Sequence, residues 1–216
     1  MNAVTWGMVV DLDRCTGCGV CVSACRLENN IPPAAAQGRP SDWITVEPRD
    51  NARAFPESEA VFLPKPCMHC GKPPCVKACP VGATVKSGQG GIVSQNYARC
   101  IGCRACMKAC PYGVRRFTWT DPSWPRGLEE ALTPYASVRP KGVVEKCTLC
   151  SHRLLLFGAQ GYTTACAEAC PTGAIRFGDV EKLRQGLDAF VLLPRETTAP
   201  QVFYVTRRAW MREKPE

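Results

Sequence analysis

Cys15-Thr16-Gly17-Cys18-Gly19-Val20-Cys21-Val22-Ser23-Ala24-Cys25 is the stretch that decides the fold of this chain. Its spacing is C-x2-C-x2-C-x3-C, and Cys100-Ile101-Gly102-Cys103-Arg104-Ala105-Cys106-Met107-Lys108-Ala109-Cys110 repeats it. In that spacing three close thiolates hold three irons of one cubane, and the fourth cysteine leaves on a helical turn to reach a different cluster. Two looser runs complete the set: Cys67, Cys70, Cys75 and Cys79, then Cys147, Cys150, Cys166 and Cys170. The 16 cysteines of the chain divide, at about four per cluster, into four [4Fe–4S] clusters with none left over.

Other uses of cysteine fit less well. Disulfides are the default for a cysteine-rich secreted chain, but cysteines two residues apart in four repeats make poor disulfide scaffolds. Zinc ribbons use C-x2-C pairs without needing a third cysteine three residues on and a fourth four residues later. Buried structural thiols do not cluster in this way. So many clusters in so short a chain read most simply as a wire for single electrons.

At 216 residues the chain makes one ordinary domain or two small ones, and 45% hydrophobic content marks it as globular. Aromatics are few, at 8%, so the clusters must supply part of the core and folding is coupled to metal binding. The formal charge of +8 invites a nucleic-acid reading, but it counts cysteine as neutral. A cluster with four thiolates carries roughly −2, so four add about −8 and bring the loaded protein near zero. The basic excess is then internal compensation, and nucleic acid is not expected as a partner. The most apolar stretches, Leu154 to Phe157 and Phe190 to Leu193, are far too short to cross a membrane. Met1 to Val10 has neither a basic start nor a long apolar run, and Arg115-Arg116 and Arg207-Arg208 lie far inside the chain. The expectation is a protein without its own export signal, able to travel folded beside a signal-bearing partner.

The flanks of the runs repeat as well. Cys79-Pro80-Val81-Gly82, Cys110-Pro111-Tyr112-Gly113 and Cys170-Pro171-Thr172-Gly173 each end a short helical turn at the proline and turn sharply at the glycine. Strands follow: Thr84 to Lys86, Arg116 to Trp119 and Ile175 to Phe177. Strands also precede two runs, at Val9 to Leu12 and Ile92 to Ser94, and Gly88-Gln89-Gly90-Gly91 signals a hairpin between the second and third runs. The fold class expected is α+β, built from two ferredoxin-like modules with long irregular loops. The module of runs two and three, residues 60–119, is inserted between the halves of the module of runs one and four, residues 1–59 and 120–178. Residues 179–216 form a tail for partner docking.

Crossed ligation then sets the pairing. Cluster one takes Cys15, Cys18, Cys21 and Cys170; cluster two takes Cys147, Cys150, Cys166 and Cys25. Cluster three takes Cys67, Cys70, Cys75 and Cys110; cluster four takes Cys100, Cys103, Cys106 and Cys79.

Residues 29–66, with Pro32-Pro33 and Ala34 to Ala36, read as a long excursion, and 120–146, with Pro122, Pro125, Pro134 and Pro140, as a second one. A short helix is expected at Arg153 to Phe157, a helix at Val180 to Phe190, a strand at Val202 to Thr206, and a disordered or partner-docked end at 207–216. His69 and His152 flank cysteines, but the cysteine set is already complete, so hydrogen bonding or packing is expected of them. Arg14, Arg26, Arg104, Lys108 and Lys146 lie near cysteines and either raise cluster potentials or offset cluster charge. No phosphate-binding glycine loop, nucleotide motif or catalytic triad appears, so catalysis is not expected on this chain itself.

These residues resemble the four-cluster iron–sulfur subunits of the dimethyl sulfoxide reductase superfamily, which includes polysulfide and tetrathionate reductases. The resemblance rests on Cys67-Met68-His69-Cys70 through Cys75, Cys110-Pro111-Tyr112-Gly113, Glu145-Lys146-Cys147-Thr148-Leu149-Cys150 and the nested order, and covers about residues 5–178. Gln201 to Val205 looks like the family's C-terminal strand. Glu28-Asn29-Asn30-Ile31-Pro32, Trp43-Ile44-Thr45-Val46 and Cys110 through Trp119 resemble the iron–sulfur components of alternative complex III and of menaquinone reductase complexes. Some relatives replace a cysteine of the third run and carry a [3Fe–4S] cluster; Cys103 is present here, so four [4Fe–4S] clusters are expected.

The resemblance implies an electron-transfer subunit of a membrane-bound, quinone-linked oxidoreductase. Its implied partners are a large molybdopterin-type or molybdopterin-like subunit, a membrane-embedded quinone-binding anchor and, in some assemblies, a multihaem cytochrome c. The implied location is peripheral on a bacterial membrane, periplasmic or cytoplasmic face left open. The alternatives are a polyferredoxin subunit of a soluble hydrogenase or formate dehydrogenase assembly, and a zinc-bound structural module.

Overall fold

The computed structural model describes residues 4–32, 41–88 and 90–213. Residues 33–40 of the first excursion, Gln89 of the hairpin signal, Met1 to Ala3 and the last three residues of the tail lie outside the described residues. Along the chain come β1 (Trp6–Asp11), α1 (Val20–Glu28), β2 (Thr45–Asp50), β3 (Ala60–Lys65), α2 (Pro74–Lys77), β4 (Thr84–Lys86), β5 (Val93–Gln95), α3 (Ala105–Lys108), β6 (Arg116–Phe117) and β7 (Val144–Glu145). Then follow α4 (Ser151–Phe157), α5 (Ala165–Glu168), β8 (Ile175–Asp179), α6 (Val180–Leu183), β9 (Val202–Val205) and α7 (Ala209–Glu213). Most elements are short because a cysteine or a proline interrupts the chain every few residues, and four-residue helices are stable only where packing holds them.

β1 is the centre of a three-stranded sheet ordered β8-β1-β9. It pairs antiparallel with β8, Met8 opposite Phe177 and Val10 opposite Ile175, and parallel with β9, Met8 opposite Val202. Trp6, Met8, Val9 and Val10 are all buried, as a strand covered on both faces requires. The strand before the first cysteine run thus lies beside the strand after the fourth. β4 and β5 pair antiparallel, with Val85 opposite Ser94. β6, after the third run, pairs with β7, before the fourth. This mixed α+β fold of short elements carries two ferredoxin-like dicluster domains.

Several segments differ from expectation. The first excursion contains an antiparallel hairpin, β2 with β3, in which Leu63 and Val61 face the core. The strand at Arg116 to Trp119 stops at Phe117, and Thr118 instead exchanges backbone hydrogen bonds with Val143 and Gly142. The helix expected to reach Phe190 ends at Leu183, because Phe190 leaves to exchange backbone hydrogen bonds with Tyr204 at 2.9 and 2.8 Å. The tail is not loose over 207–213: Arg207 and Arg208 bind the Asp13 carboxylate, and α7 buries Met211 against the chain's own core. The second excursion is free only in part. Arg139 is buried, pairs with Glu145 at 2.7 Å and donates to the carbonyls of Asn29 and Asn30.

Candidate iron–sulfur sites

Each cysteine run is wrapped by the same backbone device. The residue before the second cysteine has positive φ in all four runs: Gly17 at 74°, His69 at 42°, Gly102 at 71° and Leu149 at 55°. This kink turns successive thiols to one side. Glycine adopts it freely, whereas His69 and Leu149 are held in it by complete burial and by hydrogen bonds. Tyr162 donates its hydroxyl to the Leu149 carbonyl at 2.6 Å.

A second device follows the fourth cysteine of three runs. Gly82, Gly113 and Gly173 donate backbone N–H groups to the carbonyls of Cys79, Cys110 and Cys170 at 3.3, 3.3 and 3.1 Å. The turn aims further N–H groups at sulfur, Ala83 reaching Cys79 Sγ at 3.1 Å. Burial works to raise the Cys79 and Cys170 thiols, but these donors outweigh it and hold both below the ordinary value. An electron-rich sulfur is what such donors stabilise.

The folded chain gathers the cysteines in fours, drawn from different runs. Cys15, Cys18, Cys21 and Cys170 line one small cavity. Cys67, Cys70, Cys75 and Cys110 line a second, and Cys79, Cys100, Cys103 and Cys106 a third. Cys25, Cys147, Cys150 and Cys166 are all buried, and after burial itself the thiols of Cys147, Cys166 and Cys150 are what push Cys25 well above its ordinary value. Asn29 stands between two of them, its amide 3.6 Å from Cys25 Sγ and 3.9 Å from Cys150 Sγ. Burial, with help from neighbouring thiols, also pushes Cys21 up to about 11 and Cys70 and Cys147 up to about 12.

Electrostatic coupling links each of the four groups to the next. Cys21 of the first contributes to the raised value of Cys166 in the buried group. Cys67 is the strongest charge acting on Cys147, and Cys75 acts on Cys106. The first and last groups reach the surface, where Cys18 and Cys103 are exposed.

The donor set fits iron–sulfur cubanes. Among the described residues no three cysteines, histidines or carboxylates converge on one point that could hold a single ion. A tetrahedral zinc site requires such a point, whereas in a cubane each thiolate binds a different iron and the sulfurs stand further apart. A second observation agrees. Arg115 is buried and its Nη2 has no hydrogen-bond partner among the described residues, while Cys75, Cys106 and Cys67 are the groups that favour its charge. A buried guanidinium nitrogen left without an acceptor beside thiols calls for an anion there.

Around the thiols lie donors that no local pattern announces. Thr164 meets Cys166 Sγ at 3.4 Å and Thr172 meets Cys170 Sγ at 3.6 Å, each two residues away in sequence. Thr198 reaches Cys70 from the far end of the chain. The histidines take the roles expected of them: His69 bridges backbone groups, and His152 joins Arg153 in binding the Glu28 carboxylate, each at 2.6 Å.

Comparison with known proteins agrees with this geometry. A family described as a 4Fe-4S dicluster domain matches residues 58–128, and another of the same description matches 13–83 and 99–174. The iron–sulfur cluster-binding subunit of menaquinone reductase from Nitratidesulfovibrio vulgaris is 50% identical over 233 residues, covering 97% of this chain and 91% of that protein. A putative iron–sulfur subunit of dimethyl sulfoxide reductase from Halobacterium salinarum is 37% identical, covering 98% and 84%. A tetrathionate reductase subunit from Salmonella typhimurium is 35% identical, covering 93% and 72%.

Fold and sites together define an iron–sulfur electron-transfer protein of the dicluster type. The chain belongs to the iron–sulfur subunits of the dimethyl sulfoxide reductase superfamily, which serve respiratory oxidoreductases, and its 16 cysteines are consistent with four [4Fe–4S] clusters.

Proposed function

We propose that this chain relays single electrons within a membrane-bound, quinone-linked oxidoreductase, menaquinone being the favoured quinone. The observation that carries the reading is the linkage of four cysteine groups, each to the next, buried in the middle and exposed at Cys18 and Cys103. The quinone follows from the menaquinone reductase subunit, 50% identical over nearly the whole chain, and from a menaquinol oxidoreductase iron–sulfur subunit of Archaeoglobus fulgidus at 35%.

The proposed ligands are Cys15, Cys18, Cys21 and Cys170 for cluster one, and Cys25, Cys147, Cys150 and Cys166 for cluster two. Cys67, Cys70, Cys75 and Cys110 hold cluster three, and Cys79, Cys100, Cys103 and Cys106 hold cluster four. In module terms, residues 60–119 are inserted between 1–59 and 120–178, a reading supported by the β1–β8 pairing across the ends and the β4–β5 pairing within. When bound, each cluster supplies one-electron uptake and release. The protein's own work is to keep water from the inner sites, to present Cys18 and Cys103 at the surface, and to hold thiols such as Cys79, Cys166 and Cys170 with N–H and hydroxyl donors.

The proposed partners are a large molybdopterin-type or molybdopterin-like subunit and a membrane-embedded quinone-binding anchor, with a multihaem cytochrome c as a third. They are favoured because no helix among the described residues is long and apolar enough to cross a membrane and because relatives are named as subunits of multi-subunit reductases. The chain then sits on a membrane through its partners. Purification of the tagged chain from membranes tests this. Co-elution with a multi-helix membrane protein, and menaquinone-dependent oxidation or reduction of the chain's visible absorbance, are expected. A monomer that is active alone with a soluble donor would replace this reading with the polyferredoxin one.

A further inference from the structure

Two buried cations beside the cysteines have no carboxylate partner among the described residues. Lys146 is fully buried, and its Nζ donates to the carbonyls of Val93 and Cys147, the latter at 2.7 Å. Arg115 is also buried; its Nη1 donates to Gln95 at 3.1 Å and Thr84 at 3.3 Å, and its Nη2 finds no acceptor among the described residues. A buried cation with only neutral partners is costly unless an anion stands close.

Arg115 lies in the wall of one cavity, and Lys146 stands behind that wall, bonded to a residue that lines it. Arg115 lines the space enclosed by Cys67, Cys70, Cys75 and Cys110, and among the described residues it is the one charged group in that wall. Val93 lines it too, its carbonyl gripped by Lys146 and its N–H received by His69 Nδ1 at 3.1 Å. The other groups lack this arrangement. Among the described residues no charged side chain lines the cavity of Cys15, Cys18, Cys21 and Cys170. Arg104, in the wall of the Cys79 and Cys103 cavity, is exposed and stacks over Phe117 and Trp119. Near Cys25 and Cys150 the cations are cancelled: Arg26 pairs with Asp42 at 2.5 Å, and Arg153 pairs with Glu28 at 2.6 Å.

We infer that the cluster held by Cys67, Cys70, Cys75 and Cys110 is the most readily reduced of the four, because Arg115 and Lys146 both set an uncancelled buried positive charge beside it. The inference rests on the pairing proposed above. Reduction adds one negative charge to a cluster; a fixed cation attracts that charge, and a buried site screens the attraction weakly. Arg115 also faces Cys106, and Lys146 also adjoins Cys147, so each acts on a neighbouring cluster. Cluster three receives both. Thr198 acts in the same direction: Tyr112 holds it at 2.6 Å and its hydroxyl reaches Cys70.

The test is a potentiometric titration of the loaded protein in its complex, followed by electron paramagnetic resonance. Thr198→Val exchanges the hydroxyl that reaches Cys70 for a methyl group without changing charge, and the signal it moves marks cluster three. That signal is expected to appear first on reduction of the wild type and to move to lower potential in the variant. Arg115→Gln and Lys146→Gln are expected to lower the same signal further at unchanged iron content, while Arg115→Lys keeps it near the wild-type position. If Arg115→Gln loses iron, Lys146→Gln and Thr198→Val still decide. The inference is overturned if the signal moved by Thr198→Val is not the first reduced, or if removing a charge leaves it in place. A wrong pairing looks different: Cys67→Ser and Cys110→Ser would then alter two separate signals instead of one.

Discussion

The imidazole of His69 donates from Nε2 to the carbonyl oxygen of Cys147 across 3.1 Å. The direction is set by the other nitrogen, because Nδ1 accepts the N–H of Val93 at 3.1 Å and so carries no proton. One neutral, fully buried ring therefore ties the second cysteine run to the fourth and to the strand before the third. Replacing it by leucine leaves the Val93 N–H unpaired, at a cost of about 1–3 kcal/mol, while the Cys147 carbonyl keeps its bond from Lys146 Nζ. His69→Leu is expected to lower the denaturant midpoint at which the visible cluster absorbance bleaches. An unchanged midpoint would contradict this role.

The same ring gives a pH dependence. Burial, then the charge of Lys146, with Arg115 and Lys86 behind it, holds His69 well below its ordinary value of 6.5. Below pH 6.5 the unfolded chain therefore binds a proton that the folded chain refuses. Stability is fully present above that pH and declines as pH falls toward the folded value. His69→Gln is expected to flatten this slope between pH 6.5 and 5, measured by denaturant unfolding at each pH.

Arg139 separates the two halves of the second excursion. Its Nε pairs with Glu145 at 2.7 Å, Nη2 donates to Asn30 at 2.8 Å, and the guanidinium lies 4.9 Å from the Trp43 ring. Removing one member of so buried a pair costs about 3–5 kcal/mol. Arg139→Ala is expected to fold poorly and lose iron. By contrast, Ser123 to Ala131 is mostly exposed, and its deletion is expected to leave the iron content intact while weakening copurification with the membrane partner. Full copurification of that deletion would place the docking surface elsewhere.

Crossed ligation predicts which signal each cysteine controls. Cys79→Ser is expected to alter the cluster of the third run, and Cys25→Ser the cluster of the fourth. Spectra showing each contiguous run acting alone would contradict the pairing.

The dicluster character of the chain was legible because two of the four cysteine runs keep the strict spacing of a cubane site, and the turn glycines Gly82, Gly113 and Gly173 repeat after a Cys-Pro. The hairpin of β2 and β3 was not legible. Pro48 and Pro64 lie inside its strands, where proline argues against pairing unless the edge is open. Arg115 and Arg116 look alike in sequence, yet Arg115 is buried against thiols and Arg116 turns to the carbonyls of Asp42 and Gly113. Thr198 lies far along the chain from the Cys70 it serves, and only the docking of the segment before β9 onto Gly71 and Lys72 brings it there. Partners fixed by tertiary packing leave no periodic trace.

Counting iron and sulfide decides whether this chain holds four [4Fe–4S] clusters. Anaerobically purified, fully loaded protein should contain about sixteen iron and about sixteen acid-labile sulfide per chain, at about four of each per cluster. A plateau near about twelve iron, or zinc in place of iron and sulfide, would contradict it.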